Sequence, residues 1–434
     1  MPQPDVETAE LWAIPRLSEA RRAALRDAWS AFWSSRAVVW GAAIVAILVF
    51  GWAGDAAVRL DPYGITRPFH DNDFANLLVA PGARFDSAWY MTIGHEGYDL
   101  GSRPAFFPLL PAVLSLVNGT LGLSLVLGIL FSSACALGAL YLLHRLVALD
   151  FGLAHARTTV WLVAWFPGAL VLSAIYSESL FLLFSIGSLY SARLGRWPLA
   201  GLLGGLAATS RSGGLLLLVP LVVIYLWGPR ADRRELSPSI GLRPRYRPQP
   251  DLLWVLIGVP AGLLVYIAYL GIATGDPLSA FSAQAAWHRT FVPLGGLAGG
   301  LWSGLRSVGE LLLPGVGRSV APDSHSIPGE WLDVREVVLC GFMLAGIWLT
   351  YESARRLTPA YAAYAASGLA LPLSVPAHGS ALMSLPRFEL VLFPLWIALA
   401  LWAHEHRRIR QLLWVFGLLL AVCSGLFAVW VMAP

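Results

Sequence analysis

Five charged side chains stand beside long apolar runs of this sequence and hold groups that could do chemistry. Asp86 and Glu178 supply carboxylates, and Arg211, Arg289 and Arg387 supply guanidinium groups. A charge placed within a membrane costs roughly 2.5–3.5 kcal/mol, so each of these residues is expected to have a functional or structural role. A carboxylate suits a general base, and Arg binds phosphate in a planar, bidentate manner. Together these residues predict a transferase that needs a base and a site for a departing phosphate.

Further polar and aromatic residues near these five predict contacts with a substrate. The segment around Asp86 contains His95 and Glu96 together with several aromatic residues, and Trp287 offers a flat apolar face that suits one side of a sugar ring. These three are candidates for sugar contact. Tyr176, two residues before Glu178, and His288, directly before Arg289, join them as candidates for binding or orienting a substrate.

Purely structural roles compete with these functional ones. Residues 84–108 are also consistent with an interfacial helix whose Trp and Tyr lie at the lipid headgroups. Glu178 is also consistent with a residue that complements the positive end of a helix. His288 and Arg289 are as consistent with ordinary interfacial residues as with ligand contacts. For Arg211 the functional interpretation is favoured, because a basic residue on the outer side of a membrane runs against the usual charge distribution.

The elements that must position these residues are membrane helices. Of the 434 residues, 57% are hydrophobic and only 13% charged, about half the charge of an ordinary soluble protein. Many apolar runs approach the length of about 20 residues that crosses a bilayer. The composition excludes a soluble multi-domain enzyme, a disordered chain and a disulfide scaffold. It predicts an all-α polytopic membrane protein with about 11 (10–13) transmembrane helices.

Basic turns between apolar runs predict the orientation of these helices. Residues 1–36 are expected to form a cytoplasmic tail, and the first helix is expected over about 37–54. Four later basic stretches are assigned to the cytoplasm by the same rule. They are Arg193 with Arg196, the loop 228–250, Arg355 with Arg356, and Arg407 with Arg408 and Arg410.

This topology divides the chain into a tail and one membrane-embedded domain, residues 37–434. It places residues 55–104 and 274–332 outside, together with the C-terminus. Residues 105–118, which contain Pro108 and Pro111, form the shortest apolar run and are expected to be partial or re-entrant.

Cysteine usage and composition give two further indications. The three Cys lie inside apolar runs and are consistent with small core residues, and no metal-binding spacing is present, so no metal and no cofactor are expected. All 30 basic residues are Arg, and abundant Ala and Gly with no Lys is typical of a GC-rich bacterial genome. We therefore expect a bacterial plasma membrane protein. The net charge of +4 is attributed to arginines that orient the protein in the membrane and not to a nucleic-acid partner.

Six short pieces occur in an order that resembles bacterial relatives of the PIG-V family, from about residue 84 to 400. That family belongs to the membrane-embedded GT-C glycosyltransferases. The pieces are Phe85-Asp86-Ser-Ala-Trp89-Tyr90 through Gly97-Tyr98, Phe106-Phe107-Pro108-Leu-Leu-Pro111, Tyr176-Ser-Glu178-Ser-Leu-Phe181, Gly204-Gly-Leu-Ala-Ala-Thr-Ser-Arg211, Gly275-Asp-Pro277 with Gln284-Ala-Ala-Trp287, and Pro386-Arg387-Phe388 with Phe393-Pro394.

The resemblance implies a GT-C-like bundle with a long first extracytoplasmic loop, residues 55–104, that carries a catalytic acid matching Asp86. It implies a polyprenyl-phosphate-mannose donor used on the extracytoplasmic face. We therefore expect an inverting mannosyltransferase acting on a lipid, glycan or protein acceptor. Asp86 would be its base, Arg211, Arg387 and Arg289 would bind the donor phosphate, and Glu178 would orient a sugar hydroxyl or Arg211.

Two other classes remain open from the sequence. A lipid or solute transporter or flippase would also place charges in an apolar bundle, but near mid-membrane and in paired broken helices. A non-catalytic lipid-binding subunit would depend on a partner and show no turnover alone.

Overall fold

The computed structural model describes residues 17–52, 61, 64–69, 72–117, 119–232, 244–313 and 329–431. Parts of the predicted tail 1–36, loop 55–104, loop 228–250 and segment 274–332 lie outside the described residues. Within the described residues the chain is helical and contains no β-strand, apart from one isolated antiparallel bridge between Arg289 and Ala377.

The α-helices follow one another along the chain with short connections. They are α1 Leu17–Phe50, α2 Asp73–Val79, α3 Asp86–Glu96, α4 Leu109–Ser115, α5 Leu121–Trp165, α6 Glu178–Arg193, α7 Trp197–Ser210, α8 Leu218–Trp227, α9 Leu253–Thr274, α10 Ser279–Ala286, α11 Gly295–Leu312, α12 Gly329–Arg356, α13 Pro359–Leu373, α14 Leu385–Leu390, α15 Phe393–Glu405 and α16 Ile409–Ala428. Short 3₁₀ helices join several of them, including Pro167–Leu172 and Ser212–Leu217.

Four helices of the described chain are long and apolar enough to cross a membrane, judged by length and composition. They are Glu19–Phe50, Leu121–Trp165, Pro250–Thr274 and Ile409–Ala428. The predicted all-α membrane class is confirmed, whereas the count of about 11 spans stays a prediction. Several predicted spans are shorter than the expected 20 residues: α6, α7, α13 and α15 have 13 to 16. Helix α4 has seven residues, too short to cross a bilayer.

The first helix differs from its predicted bounds, since it begins at residue 17 and not near residue 37. Small and aromatic residues on one face of its first half, such as Ala28 and Phe32, are buried in the main hydrophobic core. Arg36 is buried in the same region and donates hydrogen bonds to the carbonyls of Ala164 and Ala169 and to Ser173. This Arg satisfies polar groups where α5 ends, so the predicted tail contributes to the fold.

Glycines bring α7 and α9 into close contact. A Cβ added at Gly262 would lie 2.0 Å from the carbonyl oxygen of Gly205, and one added at Gly201 would lie 2.0 Å from that of Trp254. Thr209 Oγ1 donates to the carbonyl of Gly262 at 3.3 Å across the same interface. The backbones of α7 and α9 therefore touch, and this contact holds the end of α7 against α9.

Candidate active site

Asp86 is the first residue of α3, and the residue before it has a backbone conformation that few residues other than glycine adopt. Phe85 has φ +50°, in the left-handed region, and such conformations persist only where surrounding contacts enforce them. The Phe85 ring packs on Trp430 with centroids 4.9 Å apart. The preceding Arg84 is fully buried and donates to the carbonyl of Ala428 at 2.9 Å. The end of the chain's last helix thus fixes the turn that presents Asp86.

Asp86 forms an ion pair with Arg387, which lies 301 residues further along the chain. The Tyr176 hydroxyl accepts a hydrogen bond from the Asp86 amide at 3.2 Å and donates one to the carbonyl of Arg84 at 3.4 Å. The Tyr176 ring also lies 5.7 Å from the Arg387 guanidinium carbon. Tyr176 therefore contacts both members of the pair, as its candidate role as an orienting residue requires.

Glu178 is the first residue of α6, and only 1% of its side chain is exposed. Its Oε1 pairs with Arg211 and lies 3.8 Å from Arg387 Nε. Arg211 also donates to Ser177 Oγ at 3.4 Å. Glu178 thus lies between two of the predicted phosphate-binding arginines, which matches the alternative in which it orients Arg211.

Arg289 approaches the same region from the segment after α10. Its guanidinium donates to the carbonyls of Val375 and Met383, and the described residues contain no carboxylate ion-paired with it. Burial lowers the pKa of Arg289 to about 10, and the charge of Arg387 acts in the same direction. Since that pKa still exceeds neutrality, Arg289 carries a full positive charge at pH 7.

Phe388 lies among the three arginines. Its ring centroid is 5.0 Å from the guanidinium carbon of Arg211, 5.7 Å from that of Arg387 and 5.9 Å from that of Arg289. We call Asp86, Glu178, Arg211, Arg289 and Arg387 the charged cluster. With three cations and two carboxylates, it has one excess positive charge, so it is complementary to a monoanion.

Aromatic rings flank this cluster along α3. Trp287 packs edge-on against Trp89 and Phe106, with centroids 5.4 and 5.5 Å apart, and its Nε1 donates to the carbonyl of Ser102. Trp89 lies one helical turn after Asp86, so the half-buried Trp287 reaches the neighbourhood of the cluster. Tyr90, which also packs on Phe106, lies close to Glu178 and Asp86.

Three candidates are not brought into the cluster. His95 and Glu96 lie at the other end of α3, about 15 Å from Asp86 along the helix axis, because each residue adds 1.5 Å. Glu96 pairs there with Arg103. The His288 side chain is exposed, and its carbonyl accepts a hydrogen bond from the His378 amide. Proximity in sequence suggested all three, but the helix and a turn direct them elsewhere.

Two aromatic residues of the site belong to the family-like pieces but were assigned no role from the sequence. Phe388 and Tyr90 carry no charge, and aromatic residues are common throughout this chain, so only their place in those pieces, near Arg387 and Asp86, hinted at a role. Among the described residues, no group of three or more His, Cys, Asp and Glu side chains could hold a metal ion. The site is therefore an acid–arginine site where several helix ends meet in an all-helical membrane protein.

Comparison with known proteins identifies the relatives of this chain. Residues 38–226 match the model of the family described as Mannosyltransferase (PIG-V). Similar curated proteins are GPI alpha-1,6-mannosyltransferase 2 of Mus musculus, 31% identical over 206 residues, and of Rattus norvegicus, 30% identical over 224. These alignments cover 44% and 49% of this chain, and 41% and 44% of the relatives. The chain thus spans less than half the length of the curated relatives it matches.

The resemblance to the PIG-V family is thereby confirmed for the segment that contains Asp86, Glu178 and Arg211. Arg289 and Arg387 lie beyond the matched residues. Among solved structures, an Archaeoglobus fulgidus oligosaccharyltransferase tethered with an acceptor peptide is similar over 93% of this chain and 56% of that chain. Its TM-score is 0.38 and its identity 14%, and a similarity this low supports no conclusion about function.

Proposed function

We propose that this protein is an inverting glycosyltransferase, specifically a mannosyltransferase that uses a polyprenyl-phosphate-mannose donor. The observation that carries the proposal is the ion pair of Asp86 with Arg387 beside Glu178 and Arg211. The matched family and the printed name of the curated relatives support mannose transfer. The acceptor is a hydroxyl of a lipid, a glycan or a protein.

Asp86 acts as the general base. It takes the proton of the acceptor hydroxyl while that oxygen bonds to the anomeric carbon of the sugar. The bond between the anomeric carbon and the phosphate oxygen breaks on the opposite face, and the polyprenyl phosphate leaves with the electron pair. Because attack and departure occur on opposite faces, the anomeric configuration inverts. The phosphate is a good leaving group, so no strong general acid is needed.

The charge of the cluster matches that of the phosphate before and after this step. A donor phosphodiester carries one negative charge, and the cluster carries one excess positive charge. Once Asp86 has taken the proton, the cluster has an excess of two positive charges, and the departing phosphate has gained its second negative charge. Arg211, Arg289 and Arg387 therefore stabilise charge where it develops, which is the most effective electrostatic contribution to catalysis.

Arg387 links the base to the phosphate site. Its guanidinium pairs with Asp86 and lies next to Glu178, and it has five N–H donors in all. A donor phosphate bound by Arg387 therefore lies beside the carboxylate that takes the proton of the acceptor.

The cluster is assigned to the extracytoplasmic face. Helix α6 begins at Glu178 in the cluster and ends at Arg193, about 24 Å away for 16 residues. Helix α13 likewise ends near the segment that binds Arg289, and the last turn of α12, which precedes it, contains Arg355 and Arg356. Basic turns face the cytoplasm, so the opposite end of each helix faces outward.

Transfer measured with purified protein tests this function. Wild type and Asp86→Asn are assayed in detergent with radiolabelled polyprenyl-phosphate-mannose and a membrane extract as acceptor. We expect Asp86→Asn to lower transfer at least about 100-fold, since a general base contributes 10²–10⁴-fold. Asp73→Asn is the matched control, because Asp73 is an exposed carboxylate paired with Arg67 outside the cluster.

The result can contradict the proposal in two ways. Equal transfer by wild type and Asp86→Asn would show that Asp86 is not the base. No transfer from any polyprenyl-phosphate sugar by wild type that still binds the lipid phosphate would favour a transporter or a lipid-binding subunit.

A further inference from the structure

Phe388 is the residue that all three arginines of the charged cluster share. Its ring lies within 6 Å of each guanidinium carbon, whereas each carboxylate contacts at most two of the arginines. The side chain is half-buried and follows Arg387 directly in α14. Arg211 reaches it from the residue directly after α7, and Arg289 reaches it from the segment after α10.

Three like charges gathered around one point repel one another. Glu178 and Asp86 offset this repulsion for Arg211 and Arg387, but Arg289 forms no ion pair with a carboxylate among the described residues and donates to two backbone carbonyls. An aromatic ring carries negative partial charge on its face and attracts a cation within about 6 Å of its centroid. Phe388 therefore contributes attraction to each arginine without adding a negative charge that would oppose a bound anion.

A carboxylate in this place would act differently. It would neutralise the excess positive charge of the cluster and repel a phosphate, whereas an aliphatic side chain would fill the space without attracting the arginines. The ring attracts the cations through its face, so it occupies none of the N–H groups that an anion would bind.

We propose that Phe388 is a positioning residue that holds Arg211, Arg289 and Arg387 at the spacing needed to bind a lipid-linked monophosphate. This inference deepens the proposed function, on which it rests for the identity of the ligand. Phe388 acts through the arginines and takes no part in proton transfer.

Binding of a short polyprenyl monophosphate, farnesyl phosphate, tests the inference without requiring transfer. We expect Phe388→Leu to weaken the Kd for farnesyl phosphate about tenfold, because the three weak ring contacts are lost together. Phe388→Tyr keeps the ring and should bind within twofold of wild type. Farnesol, which lacks the phosphate, should bind wild type and Phe388→Leu equally if the leucine variant is folded.

Phe416→Leu is the matched control. Phe416 is also half-buried, but it packs on the rings of Phe166 and Trp396 and not on arginines. It should leave farnesyl phosphate binding unchanged. In the transfer assay, Phe388→Leu should raise KM for the donor with a smaller effect on kcat.

Three outcomes would overturn the inference: no binding of farnesyl phosphate by wild type, equal binding by wild type and Phe388→Leu, or an equal loss of farnesol and farnesyl phosphate binding by Phe388→Leu. Ring-dependent binding without any sugar transfer would instead uphold the role of Phe388 and contradict the proposed transferase.

Discussion

A methyl group at Gly262 tests whether the contact of α7 with α9 fixes Arg211. Its Cβ would lie 2.0 Å from the carbonyl oxygen of Gly205 and 2.9 Å from Thr209 Oγ1. A backbone oxygen cannot rotate away as a flexible side chain can, so the two helices must separate by about 1 Å to reach a tolerable contact. Helix α7 ends directly before Arg211, so the displacement carries to its guanidinium.

The size of the effect follows from this displacement. Misplacing a catalytic constellation by about 1 Å costs roughly 100-fold in rate, and overpacking costs about 1–3 kcal/mol of stability. We therefore expect Gly262→Ala to lower mannose transfer about 100-fold while the protein still folds. Transfer is measured as above, and unfolding is followed in mixed detergent micelles.

Gly271→Ala is the matched control in the same helix. The nearest atom to its added Cβ is Pro277 Cβ at 3.4 Å, an ordinary contact. It should keep wild-type transfer and stability. If Gly262→Ala transferred mannose as fast as Gly271→Ala, the contact of α7 with α9 would not position Arg211, and the reasoning would be refuted.

Two further substitutions test the supports of the site and of the fold. Tyr176→Phe removes the hydroxyl that binds the Asp86 amide and the Arg84 carbonyl. Transfer should therefore fall about tenfold, and the free energy of unfolding should fall by about 1 kcal/mol. Unchanged transfer would show that this hydroxyl does not orient Asp86. Arg36→Met leaves the carbonyls of Ala164 and Ala169 without their donor and should lower the free energy of unfolding by about 3 kcal/mol, whereas the exposed Arg22→Met should change it little. Equal unfolding curves in mixed micelles for the two Arg variants would contradict this role.

The charged residues of the site could be predicted from the sequence because a charge within a membrane has a high free-energy cost. Asp86, Glu178, Arg211 and Arg387 stand out against apolar runs, and the structure brings all four together. Their partners could not be predicted, since 301 residues separate Asp86 from Arg387. No local periodicity encodes a contact over that distance.

Helix bounds were predicted best where a basic turn ends an apolar run. The turn at Arg193 separates α6 from α7 as expected. The start of α1 was misplaced because its first half mixes arginines with buried small residues. Polarity alone marks such a segment as a tail, although one face of it packs in the core.

Residues without charge were the hardest to assign. The residue type of Phe388 does not indicate a function, and its proposed role depends on three arginines from separate parts of the chain. Conversely, His95 and Glu96 gave a strong signal by type but lie at the far end of α3.

The bond from Arg84 to Ala428 has a consequence for the order in which the protein is made. The two residues are 344 positions apart, so at about 5–20 residues per second a ribosome needs roughly 20–70 s to make the second after the first. Throughout that interval the turn at Phe85 lacks the Trp430 ring against which it packs. The turn that presents Asp86 is therefore fixed only after α16 and Trp430 have been made and have packed against it.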